Sequence, residues 1–289
     1  MAEVRTIAVL GAGQMGGGIA HVAAVAGLNA LVYDAFPAAL DKCRAGHEKF
    51  MAKSVEKGKM SAAERDAALA RIRYVKSIDE LKGADWVVEA VVEDAKVKGE
   101  LFAKLAAMFP GDDVVLATNT SSISITQIAT SAGGAAGRVI GMHFFNPVPI
   151  MQLVEVIPAM QTRPDVVERT VALAAKLGKT PLKANDRAGF VSNRVLMPMI
   201  NEAFYAWMEG VAEPEAIDGI MKLGCNFPMG PLRLADFIGL DTCVHIMDVL
   251  ADGLNSDRYR ACPLLKQLVT AGRLGDKSGR GVFDYSQKK

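Results

Sequence analysis

The run Gly11-Ala12-Gly13-Gln14-Met15-Gly16 follows a short apolar stretch, Thr6 to Leu10. It precedes a segment rich in small residues, Gly18 to Ala26, that reads as a helix. Strand, glycine turn and helix in that order are the context in which G-x-G-x-x-G binds a dinucleotide. Gly11 permits the tight turn, Gly13 lets a pyrophosphate approach the backbone, and Gly16 lets helix and strand pack closely, with Gln14 and Met15 completing the turn. The amides and dipole at the start of a helix favour phosphate there. A second strand, Ala30 to Tyr33, ends in Asp34. An acid about 20 residues after the glycines is placed to bind the ribose hydroxyls of NAD and to repel a 2′-phosphate. The competing use of Asp34 is to cap the helix that opens near Pro37.

The alternation continues outward from this unit. Ala38 to Lys57 reads as a helix with Leu40, Cys43, Phe50, Met51 and Val55 as core residues. Lys49, Lys53 and Lys57 recur at every fourth position, the spacing of a solvated face. A helix over Ala62 to Ile72 leads to a third strand at Tyr74-Val75, and Trp86 to Val91 forms a fourth. Glu93 follows, then a helix from Asp94 to Met108 that contains Lys98. The fifth strand, Val114 to Ala117, runs into Thr118-Asn119-Thr120-Ser121-Ser122. Small polar residues at the carboxyl end of a parallel strand lie where open α/β sheets bind ligands, although Ser121 or Ser122 could equally cap the helix over Ile125 to Ala129.

Val139-Ile140 then leads into Gly141-Met142-His143-Phe144-Phe145-Asn146-Pro147-Val148-Pro149, and Met151 to Ile157 forms another strand up to Pro158. If the chain reverses near Pro149, His143 and Glu155 are equidistant from the reversal and face each other. A base and a carboxylate able to orient it become neighbours. The bland alternative is a partly buried strand histidine and a solvated glutamate. A helix over Val166 to Leu177 ends at Gly178.

From Asp186 the alternation stops. Helices are expected over Val191 to Glu209 (kinked at Pro198), Pro214 to Leu223, Pro231 to Leu250 and Leu264 to Gly272. The first carries Leu196, Met197, Met199, Ile200, Phe204, Tyr205 and Trp207 around most of its circumference. A helix with so little polar face is buried in its own domain or against a partner subunit. The fold class is therefore α/β, a Rossmann-type doubly wound sheet over residues 1–185, followed by an all-helical domain over residues 186–289.

Composition limits the function classes. With 51% hydrophobic and 22% charged residues and a net charge of +1, nothing global points to nucleic acid or to an acidic membrane. The apolar windows Ile19 to Leu28 and Trp86 to Val92 are too short to span a bilayer. Met1-Ala2-Glu3 runs almost directly into Ile7-Ala8-Val9-Leu10, which leaves no room for a leader, so a cytoplasmic location is expected. Cys43, Cys225, Cys243 and Cys262 stand far apart, so no metal site or disulfide framework is expected.

In these motifs the chain resembles the 3-hydroxyacyl-CoA dehydrogenases, and within them the free-standing bacterial 3-hydroxybutyryl-CoA branch. The resemblance runs end to end. It rests on the glycine run, Asn119 to Ser122, His143 to Pro147, Leu153 to Val156, Gly189-Phe190-Val191-Ser192-Asn193-Arg194 and Pro228-Met229-Gly230-Pro231. It implies reversible hydride transfer between C3 of a 3-hydroxyacyl-CoA and NAD. By position, His143 resembles the general base and Glu155 its partner, and Ser121 and Asn193 match the residues that hold the substrate oxygen. Asp34 matches the adenosine-ribose ligand. Glu93, Lys98, Ser121, Asn146 and Lys277 match positions around the nicotinamide half. Lys53 and Lys57 fall where the family contacts the phosphates of coenzyme A. The plainer uses are a first-turn cap for Asn193 and a solvated helix position for Lys98. Arg233 departs from the pattern, standing where relatives often carry an acid. The apolar helix over Val191 to Glu209 and the tail after it are expected to form a homodimer interface, because they leave so little polar face for water. Two rivals are a dehydrogenase of a free 3-hydroxy acid or sugar acid, and an NAD-binding protein without turnover. The first leaves Lys53 and Lys57 without a purpose, and the second leaves His143, Glu155, Ser121 and Asn193 without one.

Overall fold

The computed structural model describes residues 3–286. Met1 and Ala2, which enter the expectation of a leaderless start, lie outside the described residues. The chain divides into two compact units between Asp186 and Arg187.

In the first unit the order is β1 (Thr6–Leu10), α1 (Gln14–Val25), β2 (Asn29–Tyr33), α2 (Pro37–Glu56), α3 (Ala62–Ala70), β3 (Ile72–Val75), β4 (Trp86–Glu89), α4 (Ala95–Met108), β5 (Val115–Thr118), α5 (Ile125–Ser131), β6 (Val139–Phe144), β7 (Leu153–Pro158), α6 (Pro164–Lys176) and β8 (Thr180–Lys183). Among the described residues the eight strands form one sheet, ordered β3-β2-β1-β4-β5-β6-β7-β8. All neighbours are parallel except β6 and β7. The central strands are buried on both faces, which is why Ile7-Ala8-Val9-Leu10 and Trp86-Val87-Val88 read as unbroken apolar runs. Strand order reverses between β1 and β4, the point at which such sheets bind ligands.

Two shifted boundaries and one additional strand bear on the site. Helix α1 begins at Gln14 rather than Gly18, because Gly13 is its N-cap and Gly17 N donates to Gly13 O at 2.8 Å. The later fingerprint residues are thus already the first helical turn. Strand β7 begins at Leu153, since the amides of Ile150 and Met151 are turned back to Pro147 O. Strand β8 was not expected. It is short and mostly exposed and holds Pro181, a residue that an edge strand tolerates because its outer side needs no amide donor.

The second unit comprises α7 (Ser192–Met208), α8 (Pro214–Gly224), α9 (Pro231–Ile238), α10 (Leu240–Gly253) and α11 (Pro263–Thr270). Helix α7 runs on through Pro198 and buries Met197, Ile200, Ala203 and Phe204. The single helix expected over Pro231 to Leu250 is two helices. Gly239, at φ +103°, ends α9 in a conformation that helical residues do not adopt. Asp218 accepts the amides of Leu232 and Arg233 at 2.8 Å each, capping α9 from α8. A side chain on Gly230 would collide with that carboxylate, which accounts for the glycine in Pro228-Met229-Gly230-Pro231. Among the described residues no helix is long and apolar enough to cross a membrane.

Candidate active site

The glycine turn has little slack. A Cβ on Gly11 would lie 2.3 Å from Ala90 O at the end of β4, and one on Gly16 would lie 1.8 Å from Gly11 O. Gly13 faces open space and caps α1 without any side-chain hydrogen bond. Room above a helix N-terminus without a side-chain cap suits a pyrophosphate, so the residues fit the dinucleotide. Asp34 braces the same turn: its carboxylate accepts Ala12 N at 2.7 Å and Phe36 N at 2.9 Å. The N-cap of α2 is Phe36, not Asp34.

Strands β6 and β7 pair so that His143 stands opposite Glu155. His143 Nδ1 and Glu155 Oε2 lie 2.8 Å apart, with both residues buried. With the Nδ1 proton directed at the carboxylate, the basic lone pair of a neutral imidazole falls on Nε2. The turn between the strands is held by Lys179, whose buried ammonium donates to Val148 O at 2.5 Å and Met151 O at 2.9 Å. Burial lowers the Lys179 pKa. Phe144 N donates to Asn119 Oδ1 at 2.8 Å, tying the histidine strand to the end of β5.

That end of β5 hangs from Glu93. Its Oε1 accepts Thr120 Oγ1 at 2.6 Å, Ser121 N at 2.9 Å, Ser122 N at 3.1 Å and Ser122 Oγ at 2.9 Å, with Ser121 Oγ at 3.3 Å. Burial alone would raise the Glu93 pKa, but Lys98 and these donors hold it below the usual carboxylate value. Lys98 is not a solvated helix residue. It is 1% exposed and lies 2.6 Å from Glu89 and 3.3 Å from Glu93. The helix cap expected of Ser121 or Ser122 is supplied by Ser124, and Asp186 receives the Ser124 hydroxyl and the amides of Ile125 and Thr126.

A cleft of about 470 Å³ opens beside the glycine turn, between α1, α2 and the β6–β7 turn. Gly13, Gln14, His21, Phe50, Asn146 and Val148 are among its walls. Burial, with help from His47 and Lys179, lowers the His21 pKa to about 4, so that wall is uncharged at neutral pH. Phe50 belongs to this cleft rather than to the core. His47 is buried beside Leu40, Cys43 and Met51 on α2 and borders the cleft as well, bonding Gly17 O at 2.7 Å and Tyr74 Oη at 2.6 Å. Lys53 and Lys57 follow Phe50 along α2, both exposed.

In the second unit, Asn193 is buried in the first turn of α7, whose N-cap is Val191, so Asn193 is not the cap. Lys277 pairs with Asp241 at 2.6 Å. Arg233 pairs with Asp276 at 2.8 Å and lies over the Tyr285 ring at 4.7 Å.

Sequence inspection missed Glu89, Lys179 and Asp186 as parts of this machinery. Glu89 left a trace, since an acid inside an apolar central strand must have buried partners.

A doubly wound dinucleotide fold carrying a buried histidine–carboxylate pair at a strand end defines a nicotinamide-dependent dehydrogenase. The chain belongs to the 3-hydroxyacyl-CoA dehydrogenase family: the model of its NAD-binding domain matches residues 6–187 and that of its C-terminal domain residues 189–285. It is an NAD-dependent oxidoreductase. A probable 3-hydroxybutyryl-CoA dehydrogenase of Deinococcus radiodurans is 54% identical over 277 residues, covering 96% of this chain and 99% of that protein. A 3-hydroxybutyryl-CoA dehydrogenase of Bradyrhizobium diazoefficiens is 46% identical over 288 residues, covering 100% and 98%. Among solved structures, an (S)-3-hydroxybutyryl-CoA dehydrogenase of Ralstonia eutropha superposes with a TM-score of 0.94 at 46% identity, covering 99% of this chain and 100% of that one.

Proposed function

We propose that the chain interconverts (S)-3-hydroxybutyryl-CoA and acetoacetyl-CoA in the cytoplasm, with residues 1–185 binding NAD and residues 186–289 serving substrate binding and dimerisation. The observation that carries this is the buried 2.8 Å contact between His143 and Glu155, in the same sheet as the dinucleotide turn. Relatives of that activity at 46% and 54% identity support the choice of substrate.

The roles are those the family resemblance implies, position by position. Gly11, Gly13, Gln14, Met15 and Gly16 hold the pyrophosphate and Asp34 the adenosine ribose, while Glu93, Lys98, Asn146 and Lys277 serve the nicotinamide half. Bound NAD supplies the hydride acceptor. In oxidation His143 Nε2 takes the hydroxyl proton, and Glu155 stabilises the imidazolium and fixes the tautomer. In reduction the imidazolium returns the proton while Ser121 and Asn193 donate to the substrate oxygen.

Coenzyme A is recognised through the cleft and the lysines beyond it. The cleft is mostly apolar and runs to Phe50, and Lys53 lies one turn further along α2 with Lys57 at its end. Changing Lys53 and Lys57 to alanine should raise KM for acetoacetyl-CoA with kcat unchanged, and added salt should shrink the difference. A pantetheine thioester lacking the nucleotide is the control. Equal losses on both substrates would indicate a damaged helix, and no loss on either would remove these lysines from the site.

The homodimer is supported by apolar side chains that the second unit leaves in water. Ile220 is 63% and Leu223 90% exposed on α8, and Val195 of α7 and Val211 are exposed as well. A second copy of the chain would cover them. Light scattering should return a dimer at micromolar concentration; a monomer would count against this interface.

A further inference from the structure

The carboxyl end of β4 lies against the fingerprint turn, as the Gly11–Ala90 contact shows. In a doubly wound sheet a dinucleotide straddles the strand-order reversal, here between β1 and β4. With the adenosine half on the β1–β2 side, the nicotinamide half falls on the β4–β5 side. Glu89 and Lys98 are buried there, and Glu93 lies beside them at the surface.

Every bond of Glu89 comes from a donor. Lys98 Nζ lies at 2.6 Å and Val91 N at 2.7 Å from Oε1, and Thr118 Oγ1 lies at 2.7 Å from Oε2. Thr118 Oγ1 accepts Thr120 N at 3.2 Å, so its own proton is directed at Glu89. The site is built for the carboxylate form, and the same holds for Glu93, whose partners are hydroxyls, amides and Lys98. Two carboxylates against one ammonium leave the cluster with a single negative charge. Glu89 is fully buried and bonds Lys98 closely, so it absorbs most of the ammonium charge. Glu93, which is 28% exposed in its side chain, is left as the net anion beside Ser121.

An oxidised nicotinamide ring is a cation and a reduced ring is neutral. A fixed net anion beside that half therefore discriminates between them through charge alone. We propose that Glu89, acting through Lys98 and Glu93, is a positioning residue that makes the site prefer the oxidised cofactor. The inference rests on the NAD site described above; failure of that site would show as wild-type protein binding neither form.

The experiment is calorimetric titration of NAD⁺ and NADH into wild-type protein and three variants. Glu89→Gln keeps the shape, and Thr118 can turn its hydroxyl to accept from the new amide, but the cluster becomes neutral. The Kd for NAD⁺ should rise about five- to tenfold while that for NADH stays nearly constant, the size of a partly screened unit charge. The double variant Glu89→Gln/Lys98→Met removes a buried pair together and restores the net negative charge on Glu93. Its ratio of the two Kd values should return towards wild type. Thr118→Val deletes a hydrogen bond to Glu89 without changing charge and should leave the ratio alone. Equal weakening of both ligands by Glu89→Gln would overturn the proposal, as would a double variant with a ratio further from wild type than the single one. If Glu89→Gln does not fold, the double variant and Thr118→Val still decide: a shifted ratio in either contradicts it.

Discussion

Replacing His143 with asparagine is expected to lower kcat by at least about 100-fold, the usual contribution of a positioned acid–base group. The asparagine amide can still donate to Glu155, so the buried carboxylate keeps a hydrogen-bond partner and the strand pair should survive. What it cannot do is accept the hydroxyl proton. NAD binding should be little changed, because the glycine turn and Asp34 lie on β1, α1 and β2 rather than on β6. Steady-state kinetics with a parallel NAD titration separate the two effects. Activity near wild type would remove His143 from the mechanism.

The second large effect is expected at Asp34. Its carboxylate has about four lone-pair directions, and two are spent on Ala12 N and Phe36 N. The remainder suit the two hydroxyls of an adenosine ribose, while the negative charge repels a 2′-phosphate. Asp34→Ala should weaken NAD binding by about tenfold or more and collapse the preference over NADP, since both a charged acceptor and the turn brace are lost. Asp34→Asn separates these contributions. Its amide oxygen can still accept Ala12 N, so the turn should hold, but NADP should no longer be rejected. Titrations of both cofactors into both variants give the answer. An unchanged preference in Asp34→Asn would make Asp34 a brace for the turn and nothing more.

Much of this was legible in the sequence because the requirements are local. The glycine spacing is a steric condition on one strand–turn–helix unit, and Gly11 and Gly16 meet it through contacts that no larger residue could make. The facing of His143 and Glu155 followed from symmetry about Pro149, since antiparallel register is fixed by the position of the reversal. What the sequence hid is long-range. Lys179 reaches the β6–β7 turn from beyond α6, and Asp186 reaches α5 from some sixty residues away. Neither has a local spacing that announces it. Phe50 left its expected core place for the wall of the cleft, while His47, which carries no apolar signal, is buried by its bonds to Gly17 O and Tyr74 Oη. The break at Gly239 was masked by apolar residues on both sides that kept a helical pattern going.

Whether the chain works on the coenzyme A thioester is decided by the initial rate of NADH oxidation by the purified wild-type chain, with acetoacetyl-CoA compared against free acetoacetate at equal concentration. The thioester should be turned over to (S)-3-hydroxybutyryl-CoA, with the free acid slower by about 100-fold or more for want of the coenzyme A contacts. Failure to turn over the thioester, or an equal rate on the free acid, would contradict the proposed activity.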